Sequence, residues 1–239
     1  MSSESRVREA SSSSTSHSRL NELSEHRDKA VRTAVAQNPA TPTEVLERLV
    51  ADKNHLPRYG VAQNPAPRAW QVALRAHDSG VRVILAQRQD LDERTVQTLM
   101  CDPDFRVRDS VATSSLRPEV IAELARDEHD GVRCTAALSK VLTQEDLELL
   151  ARDPAARVRA TAAQSRRLSE KTVRRLVRDR SYMVRYELLW ARLERVDIAE
   201  MLRNDKDRLV ADLAQDCLHP PLWMLERLAE REFLGHTSS

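Results

Sequence analysis

The amino-acid sequence predicts an all-α solenoid of two-helix repeats, about eight in number and each roughly 24–26 residues long. A phrase of the form V-R-x-x-V/A-A recurs along the chain, and its strong and weak copies start at positions 31, 57, 81, 107, 132, 158, 184 and 209. A second column keeps the same period: Leu49, Leu74, Leu99, Leu124, Leu150, Leu176, Leu202 and Leu228. Two independent columns with one period indicate a repeat architecture in which each repeat packs only on its neighbours. The repeats extend over residues 28–232.

Each repeat begins with a helix of about two turns. In the stretch Val31–Ala36, Val31, Ala34 and Val35 share one face at the helical spacing of about 3.6 residues. Asn38-Pro39 ends this helix, because the residue before a proline is disfavoured in the helical region.

The second helix of each repeat begins at a capping sequence. Thr41-Pro42-Thr43-Glu44 predicts an N-cap threonine, a proline in the first turn and a glutamate that completes the cap. Later copies use Thr143 with Asp146, Ser169 with Thr172, and Asp197 before Ile198. Two such short helices cannot bury their apolar faces alone, so stacked neighbours must form the core.

The segment Val31–Asp52 resembles the variant leucine-rich repeat, and HEAT-type repeats are a more distant likeness. The resemblance implies alternating α- and 3₁₀-like helices in a curved, right-handed superhelix. Some members of that family carry an N-terminal iron–sulfur module held by cysteines. Residues 1–30 contain no cysteine, so the resemblance implies no such cluster here.

Both ends of the chain differ from the repeats. Residues 1–27 contain ten serines and almost no apolar periodicity, which predicts a disordered tail whose end, from about residue 20 to 28, can become helical and cap the first repeat. The C-terminal residues 233–239 are predicted to be frayed.

Composition excludes several classes of function. The 38 basic and 37 acidic side chains give a net charge of +1, and the four glycines form no phosphate-binding loop. Cys101, Cys134 and Cys217 have no metal-site spacing, and the seven histidines are scattered. No apolar run is long enough to cross a membrane, and the N-terminus lacks an apolar signal region. We therefore predict a cytoplasmic protein with no metal, cofactor or catalytic group.

A column of arginines follows the repeat period: Arg32, Arg58, Arg82, Arg108, Arg133, Arg159 and Arg185. Such a column could follow the phosphates of a nucleic acid. However, an aspartate stands six residues before most of these arginines, and Asp28 and Asp78 stand four residues before Arg32 and Arg82. Paired columns of opposite charge favour a structural ladder of ion pairs between repeats.

A basic region covers residues 157–185, with ten basic and two acidic side chains, 10 − 2 = +8. Its candidate binding residues are Arg166, Arg167, Lys171, Arg174, Arg175 and Arg178, the last four of which are predicted to form one exposed helix face. This face is either a solvated helix surface or a patch that binds an acidic protein or a nucleic acid.

Aromatic residues are 3% of the chain, so their positions are informative. Tyr59 and Tyr186 both follow a column arginine, and with Trp190 they are candidate anchors for a partner. Trp70 and Trp223 are either anchors or buried space-fillers. A glutamine row either lines a groove or caps helix ends: Gln37, Gln63, Gln87, Gln164 and Gln215.

These features predict a non-catalytic scaffold that binds another protein through a solenoid groove. The alternative is a nucleic-acid-binding solenoid that uses residues 157–185. A HEAT-like DNA glycosylase is the least favoured alternative, because no catalytic motif of that class matches residue by residue.

Overall fold

A computed structural model describes residues 2–226, and within that range the chain is helical and contains no strand. Its helices group into two compact units, Met1–Leu116 and Arg117–Ser239. The first unit contains α1 (Ser3–Ser11), α2 (His17–Leu23), α3 (Lys29–Gln37), α4 (Thr43–Leu49), α5 (His55–Gln63), α6 (Pro67–Leu74), α7 (Ser79–Ala86), α8 (Glu93–Met100) and α9 (Phe105–Ser114). The second contains α10 (Pro118–Leu124), α11 (Asp130–Leu138), α12 (Gln144–Leu150), α13 (Ala156–Ala163), α14 (Glu170–Leu176), α15 (Tyr182–Trp190), α16 (Val196–Leu202) and α17 (Arg208–Leu218). Residues 222–226 are also helical.

The odd-numbered helices are the first helices of the repeats, and they stack in order. In the first unit α1 packs on α3, α3 on α5, α5 on α7 and α7 on α9. In the second unit α11, α13, α15 and α17 pack in the same succession. The even-numbered helices complete each repeat with buried leucines such as Leu46, Leu147 and Leu176. Each unit is therefore a stack of helical repeats, and the predicted α-solenoid is confirmed.

The N-terminal residues differ from the disordered tail expected over residues 1–27. Helices α1 and α2 begin and end one repeat period before α3 and α4 do, so they form an additional N-terminal repeat. Its core consists of the fully or almost fully buried Ala10, Leu20 and Leu23. Two of the serines act as N-caps: Ser2 accepts from the Ser5 N–H and Ser16 from the Arg19 N–H.

A buried asparagine joins this repeat to the next. The Asn38 Nδ2 donates to the backbone oxygens of Ala10 and Ser12 at 2.7 and 2.8 Å. One repeat further on, the Asn64 Nδ2 donates to the backbone oxygens of Ala36 and Asn38 at the same two distances, 2.7 and 2.8 Å. The N-terminal repeat is thus attached by the same contact as its successor. The expected frayed end, residues 233–239, lies outside the described residues.

The predicted helix caps are present in part. Thr143 and Ser169 accept from the Asp146 and Thr172 N–H groups, as predicted. The prediction for Thr41 is wrong: α4 has Pro42 at its N-cap, and the buried Thr41 hydroxyl donates to the Val35 oxygen at 2.6 Å. Asp197 lies inside the first turn of α16 and accepts from Arg195, so it is not a cap either.

The column arginines and aspartates form ion pairs between successive repeats, which we call the Arg–Asp ladder. Its pairs are Arg32–Asp52, Arg58–Asp78 and Arg82–Asp102 in the first unit, and Arg133–Asp153, Arg159–Asp179 and Arg185–Asp205 in the second, with Nε–Oδ2 distances of 2.5 to 2.8 Å. The carboxylate therefore comes from the aspartate 20 residues after the arginine. The aspartate six residues before supplies its backbone oxygen, as Asp52 does for Arg58 at 2.9 Å and Asp102 does for Arg108 at 2.7 Å.

These ion pairs are shielded from water. The side chains of Arg32 and Asp52 are 8% and 9% exposed. Burial opposes ionisation of the Asp52 carboxyl, but hydrogen bonds from Arg32 and the Asn54 N–H outweigh it and lower its pKa. Asp28 is not a ladder acid: it caps α3 by accepting from the Ala30 N–H at 2.9 Å. Because an arginine fork on a carboxylate is a strong contact, the ladder stabilises the stacking of repeats within each unit.

Candidate functional site

A groove in the second unit lies beside the aromatic side chains of helix α15. It has a volume of about 520 Å³ and is lined by Gln164, Arg166, Glu187, Trp190 and Ala191. Helix α15 supplies Glu187 and Trp190, and the end of α13 supplies Gln164. We call it the Trp190 groove.

Three aromatic rings stand together beside this groove. Tyr186 and Trp190 are four residues apart on α15, and their centroids lie 6.2 Å apart with the planes 8° from parallel. On its other side Trp190 stacks on Trp223, with centroids 6.2 Å apart and planes at 26°. Trp223 is 44% exposed, so the stack presents an aromatic surface to solvent. Stacked rings are a rigid contact surface for a ligand.

The rim of the groove is polar. The Gln164 Nε2 donates to the Glu187 Oε2 at 3.1 Å, and Arg166 pairs with Glu194 at 2.9 Å. Trp190 stands five residues after Arg185, and Gln164 stands five residues after Arg159. The groove therefore forms where a tryptophan replaces a glutamine of the row. Elsewhere in that row the Gln37 Nε2 donates to the Gln63 Oε1 at 2.7 Å.

The predicted basic face on α14 is exposed, but several of its cations already have partners. Lys171, Arg174, Arg175 and Arg178 are all exposed. Arg174 pairs with Glu170 at 3.2 Å, and Arg175 donates to the Ala151 oxygen at 3.1 Å. Among the described residues, Lys171 and Arg178 show no side-chain hydrogen bond or ion pair.

The two arginines that precede α14 are also engaged. Arg166 pairs with Glu194, as above, and Arg167 donates to the Leu142 oxygen at 2.7 Å. The guanidinium of Arg167 therefore closes a turn of the preceding repeat instead of facing a ligand. The positive charge of residues 157–185 is accordingly reduced at the surface by internal pairing.

Tyr59 and Trp70 lie in the first unit and have structural contacts there. Tyr59 is half-buried, with its ring centroid 5.4 Å from that of His55. Its hydroxyl oxygen lies 2.7 Å from where a Cβ would stand on Gly80, so a larger residue at position 80 would require the Tyr59 side chain to shift. Trp70 is buried and donates from Nε1 to the Asn64 oxygen at 3.0 Å, with Arg88 over its ring at 5.0 Å. Trp70 is therefore the space-filler that one of the two alternatives described.

No pattern in the sequence assigns Trp223, Gln164 or Glu187 to a common site. Thr113, Leu138 and Trp190 all stand at positions of the glutamine row, and the tryptophan among them is the sequence signal that marks the groove. Trp223 follows the last column phrase and has no periodic counterpart, so no spacing could place its ring against Trp190.

Residues 2–226 contain no group of three or more side chains arranged to hold a metal ion. Over the same residues, none of the helices combines the length and apolar character needed to cross a bilayer. Cys217 is buried, and burial raises the pKa of its thiol to about 11.

Comparison with known proteins identifies the fold. A sequence-family model described as leucine rich repeat variant matches residues 30–54. A solved structure described as a leucine-rich repeat variant with a novel repetitive protein structural motif is similar to this chain, with a TM-score of 0.61 and 24% identity over 83% of this chain and 80% of that one. No curated protein matches the sequence. The resemblance first carried by Val31–Asp52 is therefore confirmed, and the likeness concerns the fold.

Proposed function

We propose that this chain, whose fold is that of a leucine-rich repeat variant, is a non-catalytic module that binds a partner protein in the cytoplasm through the Trp190 groove. The observation that carries the proposal is the stack of the half-buried Tyr186 and Trp190 with the exposed Trp223, beside a polar-rimmed groove. Aromatic anchors in a pocket with a polar rim are characteristic of protein interfaces.

The rigidity of the site favours a protein ligand. Trp190 and Tyr186 pack partly against the buried core of the second unit, which fixes their positions before a partner arrives. A preformed surface of this kind loses little side-chain freedom on binding, so more of the contact energy contributes to affinity.

The pairing of the basic residues argues against the nucleic-acid alternative. Binding along a phosphate backbone needs many free cations, since each neutralised phosphate contributes to affinity. On the basic face, Glu170 binds Arg174, and Arg167 and Arg175 donate to backbone oxygens. Within residues 157–185, the described cations without an ion pair or side-chain hydrogen bond are Lys171, Arg178 and Arg180, which are too few to follow a strand.

The test is affinity capture of partners from a lysate of the source cells, with and without nuclease and at two salt concentrations. The full chain is compared with Trp190→Ala and with a matched control, Leu138→Ala. Leu138 is 63% exposed and stands five residues after Arg133, the position that Trp190 has after Arg185.

We expect a protein partner that survives nuclease and salt, is lost with Trp190→Ala and is kept with Leu138→Ala. Loss of a central aromatic anchor costs about 2 kcal/mol or more, which is a weakening of at least about 30-fold. Trp223 is the more exposed ring, so Trp223→Ala should also weaken binding of the partner while leaving the circular dichroism spectrum unchanged. A partner that binds Trp190→Ala as well as the natural chain, or nuclease-sensitive material alone, would contradict the proposal.

A further inference from the structure

A second groove in the same unit carries unneutralised positive charge. It has a volume of about 610 Å³ and lies along two successive turns between repeats, Arg178-Asp179-Arg180 and Asn204-Asp205-Lys206. Arg178, Arg180 and Lys206 are exposed, and their side chains show no ion pair or hydrogen bond among the described residues. We call it the Arg180 groove.

The two aspartates that line this groove already accept hydrogen bonds from ladder arginines. The Asp179 oxygens accept from the Arg159 Nε and Nη2 at 2.8 and 2.9 Å. The Asp205 oxygens accept from Arg185 in the same way, both at 2.6 Å. Each carboxylate therefore pairs with a ladder arginine, and Arg178, Arg180 and Lys206 have no ion-pair partner among the described residues.

This arrangement differs from the other turns that carry a ladder aspartate. Asp52 is followed by Lys53 but preceded by an alanine, and Asp153 is preceded by Arg152 but followed by a proline. Asp179 has an arginine on both sides, and the turn after it adds Lys206. The three cations therefore stand at positions that vary from repeat to repeat, and the Arg–Asp ladder does not require a cation there.

We propose that the Arg180 groove binds a phosphoryl group carried by a partner protein, such as a phosphoserine side chain. A phosphoryl group has close to two negative charges at neutral pH and three strong acceptor oxygens. Arginine forks match those oxygens in a bidentate way, and clusters of arginine are a recurring means of recognising phosphorylated segments. The proposal rests on the proposed function in one respect, that the partner is a protein.

The compactness of the cluster favours one phosphoryl group over a nucleic-acid backbone. Double-stranded DNA presents a phosphate about every 3.4 Å along each strand, and binding it requires a long row of cations. Here the cations surround one groove, and the preceding turn adds only Arg152.

The test is a ¹⁵N NMR titration in phosphate-free buffer at low salt. The probes are the peptide Gly-Gly-phosphoserine-Gly-Gly, its unphosphorylated counterpart, inorganic phosphate and a short oligothymidylate. The natural chain is compared with Arg180→Gln/Lys206→Gln and with Lys53→Gln, which removes an exposed lysine at the corresponding turn position in the first unit.

We expect the phosphopeptide to shift the amide signals of residues 178–181 and 204–207 and to bind at least about tenfold more tightly than the unphosphorylated peptide. The double variant should weaken binding by at least about tenfold, and Lys53→Gln should leave it unchanged. Because the second pKa of a phosphoryl group is about 6, binding should also weaken between about pH 7 and pH 5.

The proposal is overturned if the phosphopeptide does not bind, or if the double variant binds it as well as the natural chain does. Inorganic phosphate that binds as tightly as the phosphopeptide would assign the groove to a free anion, and tighter oligothymidylate binding would assign it to nucleic acid. These outcomes are separate from the Trp190→Ala capture experiment, so failure here and failure of the proposed function are distinguishable.

Discussion

Replacing His26 with aspartate should stabilise the N-terminal repeat. His26 stands one repeat period before Asp52, at a position that is aspartate in the ladder pairs that follow. The Arg6 Nη1 lies 2.8 Å from the His26 Nε2, and the Asp28 N–H donates to the His26 Nδ1 at 3.1 Å. Asp52 accepts the same two kinds of donor, from Arg32 and from the Asn54 N–H. His26 therefore takes the place of a ladder carboxylate.

The imidazole satisfies this position incompletely. Both of its neighbours are N–H donors, and a neutral imidazole has only one acceptor nitrogen. A carboxylate accepts both donors and adds an ion pair with Arg6. A shielded charge-assisted hydrogen bond contributes about 1.5–3 kcal/mol and an exposed ion pair about 1 kcal/mol or less. Since Arg6 and His26 are both half-buried, we expect the free energy of unfolding to rise by about 1 kcal/mol, near the value for an exposed ion pair.

The assay is thermal unfolding followed by circular dichroism, with hydrogen exchange of the α1 amides as a local measurement. A gain of about 1 kcal/mol corresponds to a rise in Tm of about 2–4 °C for a chain of this length. The control is a double-mutant cycle in which His26→Asp is repeated in an Arg6→Gln background. An equal gain in that background, or a lower Tm in His26→Asp alone, would refute the assignment of His26 to the ladder.

Three further predictions concern the contacts between repeats. Asp153→Asn should lower the free energy of unfolding by about 2 kcal/mol in urea titrations, because Arg133 loses its charged acceptor; the exposed Glu145→Gln should have almost no effect. Asn38→Ala should accelerate hydrogen exchange in residues 3–11 while leaving the second unit unchanged, since it removes both hydrogen bonds to the Ala10 and Ser12 oxygens. Acid should destabilise the chain. The pKa values of ladder carboxyls such as Asp52 and Asp205 lie below their ordinary value of 3.8, because hydrogen bonds from arginine and backbone N–H groups lower the pKa more than burial raises it. Their contribution is therefore complete above about pH 4 and is lost as the pH falls through the lowered values, which a series of Tm measurements between pH 5 and pH 2 would detect.

The repeat period was sufficient to predict the fold but not the pairing inside it. Arg32 and Asp52 contact each other because they occupy facing positions in neighbouring repeats. The sequence predicted ion pairs between repeats, but the fixed spacing to the preceding acids did not show which aspartate each arginine binds. Separation along the chain is a poor guide in a solenoid, where the closest partner is often one period distant.

The N-terminal repeat and the Trp190 groove show two other limits of the sequence. Ala10, Leu20 and Leu23 keep the core positions of a repeat, but the serines between them remove the apolar signal. The groove depends on contacts with Trp223, which belongs to no column. A periodic pattern predicts what recurs, while a binding site consists of the residues that depart from it.

The Arg–Asp ladder has a consequence for how this kind of protein changes length in evolution. Four ladder aspartates use the carboxylate for the arginine before them and the backbone oxygen for the arginine after them: Asp52, Asp102, Asp153 and Asp179. Removing residues 154–179, one full period, would bring Arg185 to the sixth position after Asp153, where it inherits the oxygen that Arg159 had used. After unequal recombination in steps of one period, each remaining arginine and aspartate of the ladder therefore still has a partner. Gene duplication can lengthen or shorten such an array without having to invent a new junction.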